Sequence, residues 1–292
     1  MFSLLMMLWS VGQIANAQKE PTTVPTIFAI GDLHADLEAA RTTFRLAGLI
    51  DDKDKWIADN VHVVQTGDIT DRGPDGLQML QWFKKLEAES AGHLTLLLGN
   101  HETMNLMGDW RYVSAGDMTS FGGKSERIKA FQPGGDWRDW LMQHPATTKK
   151  GDTIFVHGGI HPDFATLGVD QINAEIHNAL NSGQDPNGIL GSNGPLWYRD
   201  YILAPETEVC PLLEKALKSL EAKRMVVGHT TQRDGEIQSR CNHQIIVIDT
   251  GISAHYGGKT SFLKIEGTRI TAFHSNTSEV LTENHPQKVN SP

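Results

Sequence analysis

The pattern of apolar and polar positions predicts that strands and helices alternate in the first half of the chain. Short apolar or β-branched runs of strand length occur at 27–30, 61–65, 94–98, 153–156 and 225–227. Apolar side chains at helical spacing predict three helices, over 36–48, after Pro74 and over 208–222. Further strand-like runs then follow one another, at 244–248, 261–265 and 269–273. This order predicts an α/β fold in which two sheets pack as a sandwich flanked by helices.

Two long stretches interrupt this alternation. Residues 107–150 and 162–197 are rich in Gly, Trp, Asn and Asp and show no sustained period. They could be plain surface loops. We favour cap insertions that shape a pocket, because each follows a predicted strand end that carries polar residues of ligand type.

These polar residues stand directly after the predicted strands. They are Asp32 and His34, Asp68, Asn100 and His101, His157, and His229. Ligands of open α/β sheets bind outside the carboxyl ends of the strands, so all of these side chains should reach one crevice. Carboxylate, amide and imidazole donors suit Mn, Fe or Zn and are too rich in nitrogen for a calcium or plain magnesium site. The sequence therefore predicts a divalent metal centre.

The order of these motifs resembles that of the calcineurin-like metallophosphoesterases. The motifs are Gly31 to His34, Gly67 to Gly73, Gly99 to Glu102, His157 to Gly159, and Gly228 with His229. The second motif, which contains Asp71 and Arg72, resembles the corresponding motif of the phosphoprotein phosphatase group. The segments 195–200, 224–230 and 248–251 more narrowly resemble the Shewanella-like protein phosphatases, and the resemblance spans roughly residues 26 to 266.

The resemblance implies a phosphomonoesterase that depends on two divalent metal ions. Asp68 would bridge the ions, Asp32 and His34 would complete one ligand set, and Asn100, His157 and His229 would complete the other. A hydroxide shared by two such ions is nucleophilic at neutral pH and would attack phosphorus directly, without a covalent phosphoenzyme.

The remaining motif residues have expected roles around the phosphate. His101 follows a ligand without having to ligate, so it should protonate the leaving oxygen, with Asp71 orienting it. Arg72 and Arg199 are the expected phosphate-binding residues, because a guanidinium matches phosphoryl oxygens. A surface salt bridge is the alternative for Asp71 and Arg72, and a structural role is the alternative for Arg199.

Three functions are compatible with these motifs. The first is a protein phosphatase acting on phosphorylated proteins or peptides, with a phosphotyrosine preference that only the resemblance suggests. The second is a hydrolase of diadenosine tetraphosphate or another nucleotide. The third, a non-catalytic metal-binding scaffold, is disfavoured because a scaffold needs no acid such as His101 beside its metals.

Composition agrees with one catalytic domain over 26–274. A chain of 292 residues with 39% hydrophobic residues can bury a complete α/β core. The net charge of −9 argues against a nucleic-acid partner, which would need clustered Lys and Arg. Residues 275–292 are polar and aperiodic and predict a flexible tail.

The start of the chain predicts export. Residues 2–11 are apolar, and Ala15 to Ala17 before Gln18 has the small-x-small pattern of a cleavage site, so residues 1–17 are interpreted as a signal peptide. The apolar run is too short to span a bilayer. The expected location is periplasmic or secreted; the alternative is an apolar extension packed on a cytoplasmic enzyme.

Two cysteines, Cys210 and Cys241, make up the cysteine content of the chain. In an exported protein such a pair favours a disulfide. Two buried free thiols, or a redox control of activity, are the alternatives.

Overall fold

The computed structural model describes residues 25–282. The predicted signal peptide (residues 1–17) and residues 283–292 of the predicted tail lie outside this range. The strands within it are β1 (Thr26–Ile30), β2 (Val61–Gln65), β3 (Leu94–Leu96), β4 (Thr147–Lys150), β5 (Thr153–Val156), β6 (Arg224–Val227), β7 (Gln238–Arg240), β8 (Ile245–Val247), β9 (Ser261–Glu266), β10 (Arg269–His274) and β11 (Ser278–Thr282). The α-helices are α1 (Leu37–Leu46), α2 (Gly76–Glu89), α3 (Asn100–Leu106), α4 (Ala115–Ser120), α5 (Lys124–Phe131), α6 (Asp136–Leu141), α7 (Pro162–Ala165), α8 (Val169–Ser182), α9 (Asp200–Leu203) and α10 (Glu206–Ser219).

The strands form two mixed sheets. One has the order β11-β10-β9-β1-β2-β3 and the other the order β4-β5-β6-β8-β7. In the first sheet β1, β2 and β3 run parallel, and β9 is antiparallel to β1. In the second, β5, β6 and β8 run parallel. The predicted two-sheet α/β sandwich is confirmed.

An apolar layer lies between the two sheets. Ile27 and Ala29 of β1 share this layer with Val226 of β6 and Ile246 of β8. The alternate residue Phe28 faces the other way and joins the core formed with the helices, because successive side chains of a strand point to opposite faces. Full burial of an aliphatic side chain contributes about 1.5–3 kcal/mol, so this layer stabilises the packing of the two sheets on each other.

Local sequence explains why α1 forms after β1. The Asp36 side chain accepts a hydrogen bond from the backbone N–H of Ala39 and caps the helix. Leu37, Ala40 and Phe44 are buried along one face. The predicted bounds shift slightly for the other two helices, since α2 begins at Gly76 and α10 spans Glu206–Ser219 rather than 208–222.

The two insertions contain regular structure. Residues 107–150 fold into α4, α5, α6 and β4, and residues 162–197 contain α7 and α8. Helix α8 buries side chains at helical spacing, Ile172, Ile176, Ala179 and Leu180. A plain surface-loop interpretation is therefore wrong for both insertions.

The end of the described chain adds an edge strand. Strand β11 pairs antiparallel with β10, with Phe273 opposite Ser278. The flexible tail predicted from residue 275 is thus wrong for residues 278–282, because backbone pairing at a sheet edge does not require apolar side chains. Over residues 25–282, none of the helices is long and apolar enough to cross a membrane.

Candidate active site

The six predicted ligand residues and the expected acid His101 lie where strands of both sheets end. Asp32 and His34 follow β1, and Asp68 follows β2; Asn100 and His101 open α3 after β3, while His157 follows β5 and His229 follows β6. All seven side chains are buried. The sequence placed each of them at a strand end, and the packing of the two sheets brings these ends together.

Asp68 lies at the centre of this cluster. Its Oδ2 is 3.3 Å from Nε2 of His157, 3.7 Å from Nε2 of His34 and 3.8 Å from Nε2 of His101. Nε2 of His157 is also 2.8 Å from Oδ1 of Asn100. Asp32 faces the same point, with its Oδ2 3.8 Å from Nε2 of His34.

The donor atoms form two adjacent groups that share Asp68. One group is His34, Asp68 and His101, the other is Asp68, His157 and His229, and the ligand atoms of each lie within 4.8 Å of one another. Two divalent ions bridged by Asp68 fit this arrangement. The first group contains His101, whereas the family resemblance assigns Asp32, not His101, as a metal ligand there. The hydrogen bond between His101 and Asp71, described below, fits a proton donor better than a metal ligand.

The hydrogen bonds of the histidines also fit a metal centre. Nδ1 of His157 lies 2.9 Å from the carbonyl oxygen of Thr66, and Nδ1 of His34 lies 3.3 Å from that of Thr70. A carbonyl can only accept, so Nδ1 carries the proton and Nε2 presents a lone pair. These lone pairs point towards the Asp68 carboxylate, which is repulsive unless a cation lies between them.

The pKa shifts within the cluster also indicate a metal centre. Burial, with the neighbouring Asp249 and Asp68, raises the pKa of Asp32. Burial would also raise the pKa of Asp68, but positive charge on the neighbouring imidazoles, first that of His157, lowers this pKa, as a divalent cation at the same place would. Burial lowers the pKa of His34 to about 3 and that of His229 well below normal, which keeps both imidazoles neutral as metal binding requires. Buried carboxylates with neutral imidazoles are stabilised by divalent cations.

The loop after β2 is held in an uncommon backbone conformation. Asp68, Asp71 and Arg72 have φ angles of 56°, 68° and 67°, which side-chain-bearing residues rarely adopt. The buried Glu102 carboxylate stabilises this loop, because it accepts the backbone N–H groups of Asp68, Ile69 and Thr70 at 2.7, 3.0 and 3.0 Å. Strain of this kind is typical of functional sites.

Glycine is required at Gly99, where the chain enters α3. A Cβ there would collide with Oδ1 of Asp68. The Gly99 N–H instead donates to Glu102 at 2.8 Å. The Gly-Asn-His-Glu motif therefore places Asn100 and His101 and also supports the loop that carries Asp68.

His101 is paired with Asp71 as expected for an acid and its orienting partner. Nδ1 of His101 lies 2.8 Å from Oδ2 of Asp71. Burial would lower the pKa of His101, but Asp68 and Asp71 outweigh it and raise this pKa. Nε2 is left facing the cavity, where it can hold a proton for a leaving group.

Both candidate phosphate-binding arginines line the same cavity. Its volume is about 160 Å³, and it is bounded by His34, Asp68, Arg72, Asn100, His101, Tyr112, Trp197, Arg199, His229, Thr231 and Tyr256. Among the described residues, Nε of Arg72 is buried without a hydrogen-bond partner. Arg199 is partly committed, because its Nη1 donates to the carbonyl oxygen of His229 at 2.6 Å.

Sequence reasoning missed the aromatic rim of this cavity. Tyr112 comes from the first insertion and lies under Arg72, 3.7 Å from ring centroid to guanidinium carbon. The Tyr256 ring lies 4.9 Å from that of His34. Trp197 stands two residues before Arg199 and could have been found from that position.

The two cysteines form a disulfide. It joins α10 to the turn after β7, with the Cα atoms of Cys210 and Cys241 5.3 Å apart. The adjacent Arg240 donates to the carbonyl oxygens of Tyr201 and Ala204 at the end of α9. The disulfide thus braces the helix that follows Arg199.

Comparison with known proteins identifies the family of the chain. The family described as calcineurin-like phosphoesterase matches residues 25–233. The chain belongs to this family. It is therefore a metal-dependent phosphoesterase.

Individual relatives place it more narrowly. Shewanella-like protein phosphatase 2 of Arabidopsis thaliana is 34% identical over 280 residues, covering 78% of this chain and 71% of that protein. The crystal structure of a cold-active protein-tyrosine phosphatase from a psychrophilic Shewanella species is similar with a TM-score of 0.78 and 26% identity, covering 89% of this chain and 81% of that one. A symmetrical bis(5'-nucleosyl)-tetraphosphatase of Methylobacillus flagellatus is 27% identical over 168 residues, covering 56% of this chain and 53% of that protein. The resemblance to Shewanella-like phosphatases is confirmed.

Proposed function

We propose that this phosphatase hydrolyses phosphomonoesters on proteins or peptides. The observation that carries the proposal is that Asp68, His101 and Arg72 line one cavity, in which Asp68 joins the two ligand groups and His101 is paired with Asp71. Asp32, His34, Asp68, Asn100, His157 and His229 would hold two ions of the manganese, iron or zinc type.

The side chains divide the chemistry between them. The bound ions would supply a water activated for attack at neutral pH. Arg72 and Arg199 bind the phosphoryl oxygens and stabilise the charge that builds on them. His101 holds a proton on Nε2 for the leaving oxygen, while Asp71 fixes the ring through Nδ1 at 2.8 Å.

The rim favours an aromatic substrate. Tyr112, Trp197 and Tyr256 line a cavity of about 160 Å³, which is smaller than the roughly 300–1,000 Å³ of pockets that enclose a whole drug-sized ligand. Aromatic rings pack well on one another, so the phenyl ring of a phosphotyrosine would lie against this rim. The similarity to a protein-tyrosine phosphatase supports the same preference.

A direct comparison of substrates tests the proposal. The metal-reconstituted protein is assayed with a phosphotyrosine peptide, the same peptide carrying phosphoserine, and diadenosine tetraphosphate. We expect the highest kcat/KM on the phosphotyrosine peptide. A higher kcat/KM on diadenosine tetraphosphate would make the protein a nucleotide hydrolase, and binding of metal without turnover of any substrate would make it a scaffold.

We also infer that the enzyme works in an oxidising compartment, periplasmic or extracellular. The disulfide between Cys210 and Cys241 supports this inference, because such bonds persist where thiols are not kept reduced. Cell fractionation of the native host tests it, and recovery of the protein in the cytoplasm with both thiols free would overturn it.

A further inference from the structure

A buried arginine of the first insertion reaches the acid pair from behind. Arg127 of α5 is fully buried. Its Nε and Nη2 both lie 2.9 Å from Oδ2 of Asp117, and its Nη1 lies 2.6 Å from Oδ1 of Asn105. Nη2 also lies 3.4 Å from Oδ1 of Asp71. This guanidinium therefore links the insertion to the carboxylate that orients His101.

The two oxygens of Asp71 have separate partners. Oδ2 faces Nδ1 of His101 at 2.8 Å, while Oδ1 accepts from Nδ2 of Asn105 at 2.9 Å and from Arg127. The same amide group of Asn105 also donates to the backbone carbonyl of His101 at 2.8 Å. Holding Oδ1 in this way stops the carboxylate from rotating and fixes which oxygen meets the imidazole.

We propose that Arg127 is a positioning residue for the His101–Asp71 pair, keeping Asp71 oriented and compensating its buried charge. The inference rests on the proposed function, since it assumes that His101 donates a proton to the leaving oxygen. It extends that function by giving the first insertion a part in the chemistry.

Simple packing of α5 is a poor explanation for this residue. The guanidinium is enclosed by the rings of Phe131, Trp110 and Phe121, with centroids at 4.6, 5.4 and 5.4 Å. Burying a cation carries a desolvation cost of several kcal/mol even when it is paired. An apolar side chain would fill the same space without that cost but would leave the buried carboxylates of Asp117 and Asp71 without their cation.

The test compares leaving groups. Phenyl phosphate needs a proton on its departing oxygen, whereas 2,4-dinitrophenyl phosphate does not. Replacement Arg127→Met should lower kcat/KM on phenyl phosphate by about 10- to 100-fold, the scale for loss of a group that orients a functional histidine. On the dinitrophenyl ester we expect at most about a 3-fold loss, because the acid is not used there. Metal content, measured by elemental analysis, should not change.

Arg138 provides a matched control. It is also a buried arginine of the first insertion, and its Nη1 and Nη2 donate to the backbone carbonyls of Leu106 and Leu180 at 3.0 and 2.9 Å. Arg138→Met removes a comparable buried charge without touching Asp71. It should lower the melting temperature but give equal losses, if any, on the two esters.

A double variant separates positioning from general damage. In an His101→Asn background, Arg127→Met should cause little further loss on phenyl phosphate, since two residues that act as a unit are not additive. Arg127→Lys keeps the charge but cannot reach all three acceptors, so its loss should be intermediate. If Arg127→Met does not fold, Arg127→Lys carries the test.

Failure of the positioning role of Arg127 and failure of the proposed acid give different results. Equal losses on both esters for the Arg127 variants, alongside a steep leaving-group dependence for His101→Asn, would overturn the positioning role alone. A flat dependence for His101→Asn itself would overturn the acid in the proposed function and the inference with it.

Discussion

The Tyr112 ring packs against both Arg72 and His101, with its centroid 3.7 Å from the guanidinium carbon of Arg72 and 5.0 Å from the centroid of the His101 ring. A residue of the first insertion thus contacts both a phosphate-binding candidate and the proposed acid. The backbone N–H of Arg72 also donates to the carbonyl oxygen of Tyr112 at 3.0 Å. The insertion and the second motif support each other at the cavity wall.

Tyr112→Leu should weaken phosphate binding by releasing Arg72. A cation over an aromatic face contributes about 0.5–2 kcal/mol, so kcat/KM on p-nitrophenyl phosphate should fall by about 2- to 30-fold. Tyr112→Phe is the control, because it keeps the ring and removes only the hydroxyl. Steady-state kinetics at unchanged metal content measure both, and an equal loss in the two variants would assign the effect to the hydroxyl.

Asp68 and His101 should separate metal binding from proton donation. Asp68→Asn removes the carboxylate shared by both ligand groups, so the protein should no longer retain two ions per chain and activity should be lost. His101→Asn should retain the ions and lose about 10²- to 10⁴-fold in rate. Elemental analysis after dialysis settles the assignment. Loss of an ion in His101→Asn would make His101 a ligand.

The ligand residues were predictable because strand patterning fixes their positions. Each stands directly after a strand whose apolar run is visible in the sequence, as with Val61–Gln65 before Asp68. Once the strands are parallel neighbours, their ends coincide without further information. The same reasoning placed His157 and His229 after β5 and β6, although these belong to the other sheet.

Arg127 and Tyr112 were not predictable for a physical reason. The sequence does not distinguish a buried arginine from an exposed one, and only the fold brings Arg127 within reach of Asp71, 56 positions away in sequence. The left-handed backbone at Asp71 and Arg72 was hidden in the same way. At Arg72 the backbone N–H donates to the carbonyl oxygen of Tyr112 in the first insertion, and residue preference alone would disfavour this conformation.

Opening the disulfide should lower stability and loosen Arg199. A bond closing a loop with a sequence separation of 31 residues stabilises the fold by about 3–4 kcal/mol in the chain-entropy model. Cys210→Ser combined with Cys241→Ser should therefore lower the melting temperature. It should also lower kcat/KM, because the turn holding Arg240 against the end of α9 is released. Thiol titration of the unreduced, denatured parent should find no free thiol; two per chain would contradict the bond.

His62 should make the fold sensitive to mild acid. Burial, with Lys150 and His93 nearby, lowers the pKa of His62, and its Nδ1 is buried without a hydrogen-bond partner. The unfolded chain takes up this proton at about pH 6.5, before the folded chain does. The contribution of neutral His62 to the stability of the fold is therefore complete above that pH, and it falls as the pH drops towards the lowered pKa of the folded state.

Replacement His62→Gln removes this pH-dependent contribution. The melting temperature of the variant should therefore fall less than that of the parent between about pH 7.5 and 5.5. Acid-dependent metal loss affects both proteins alike and cancels in the comparison. Equal decreases in melting temperature would show that His62 titrates at the same pH in the folded and unfolded chains.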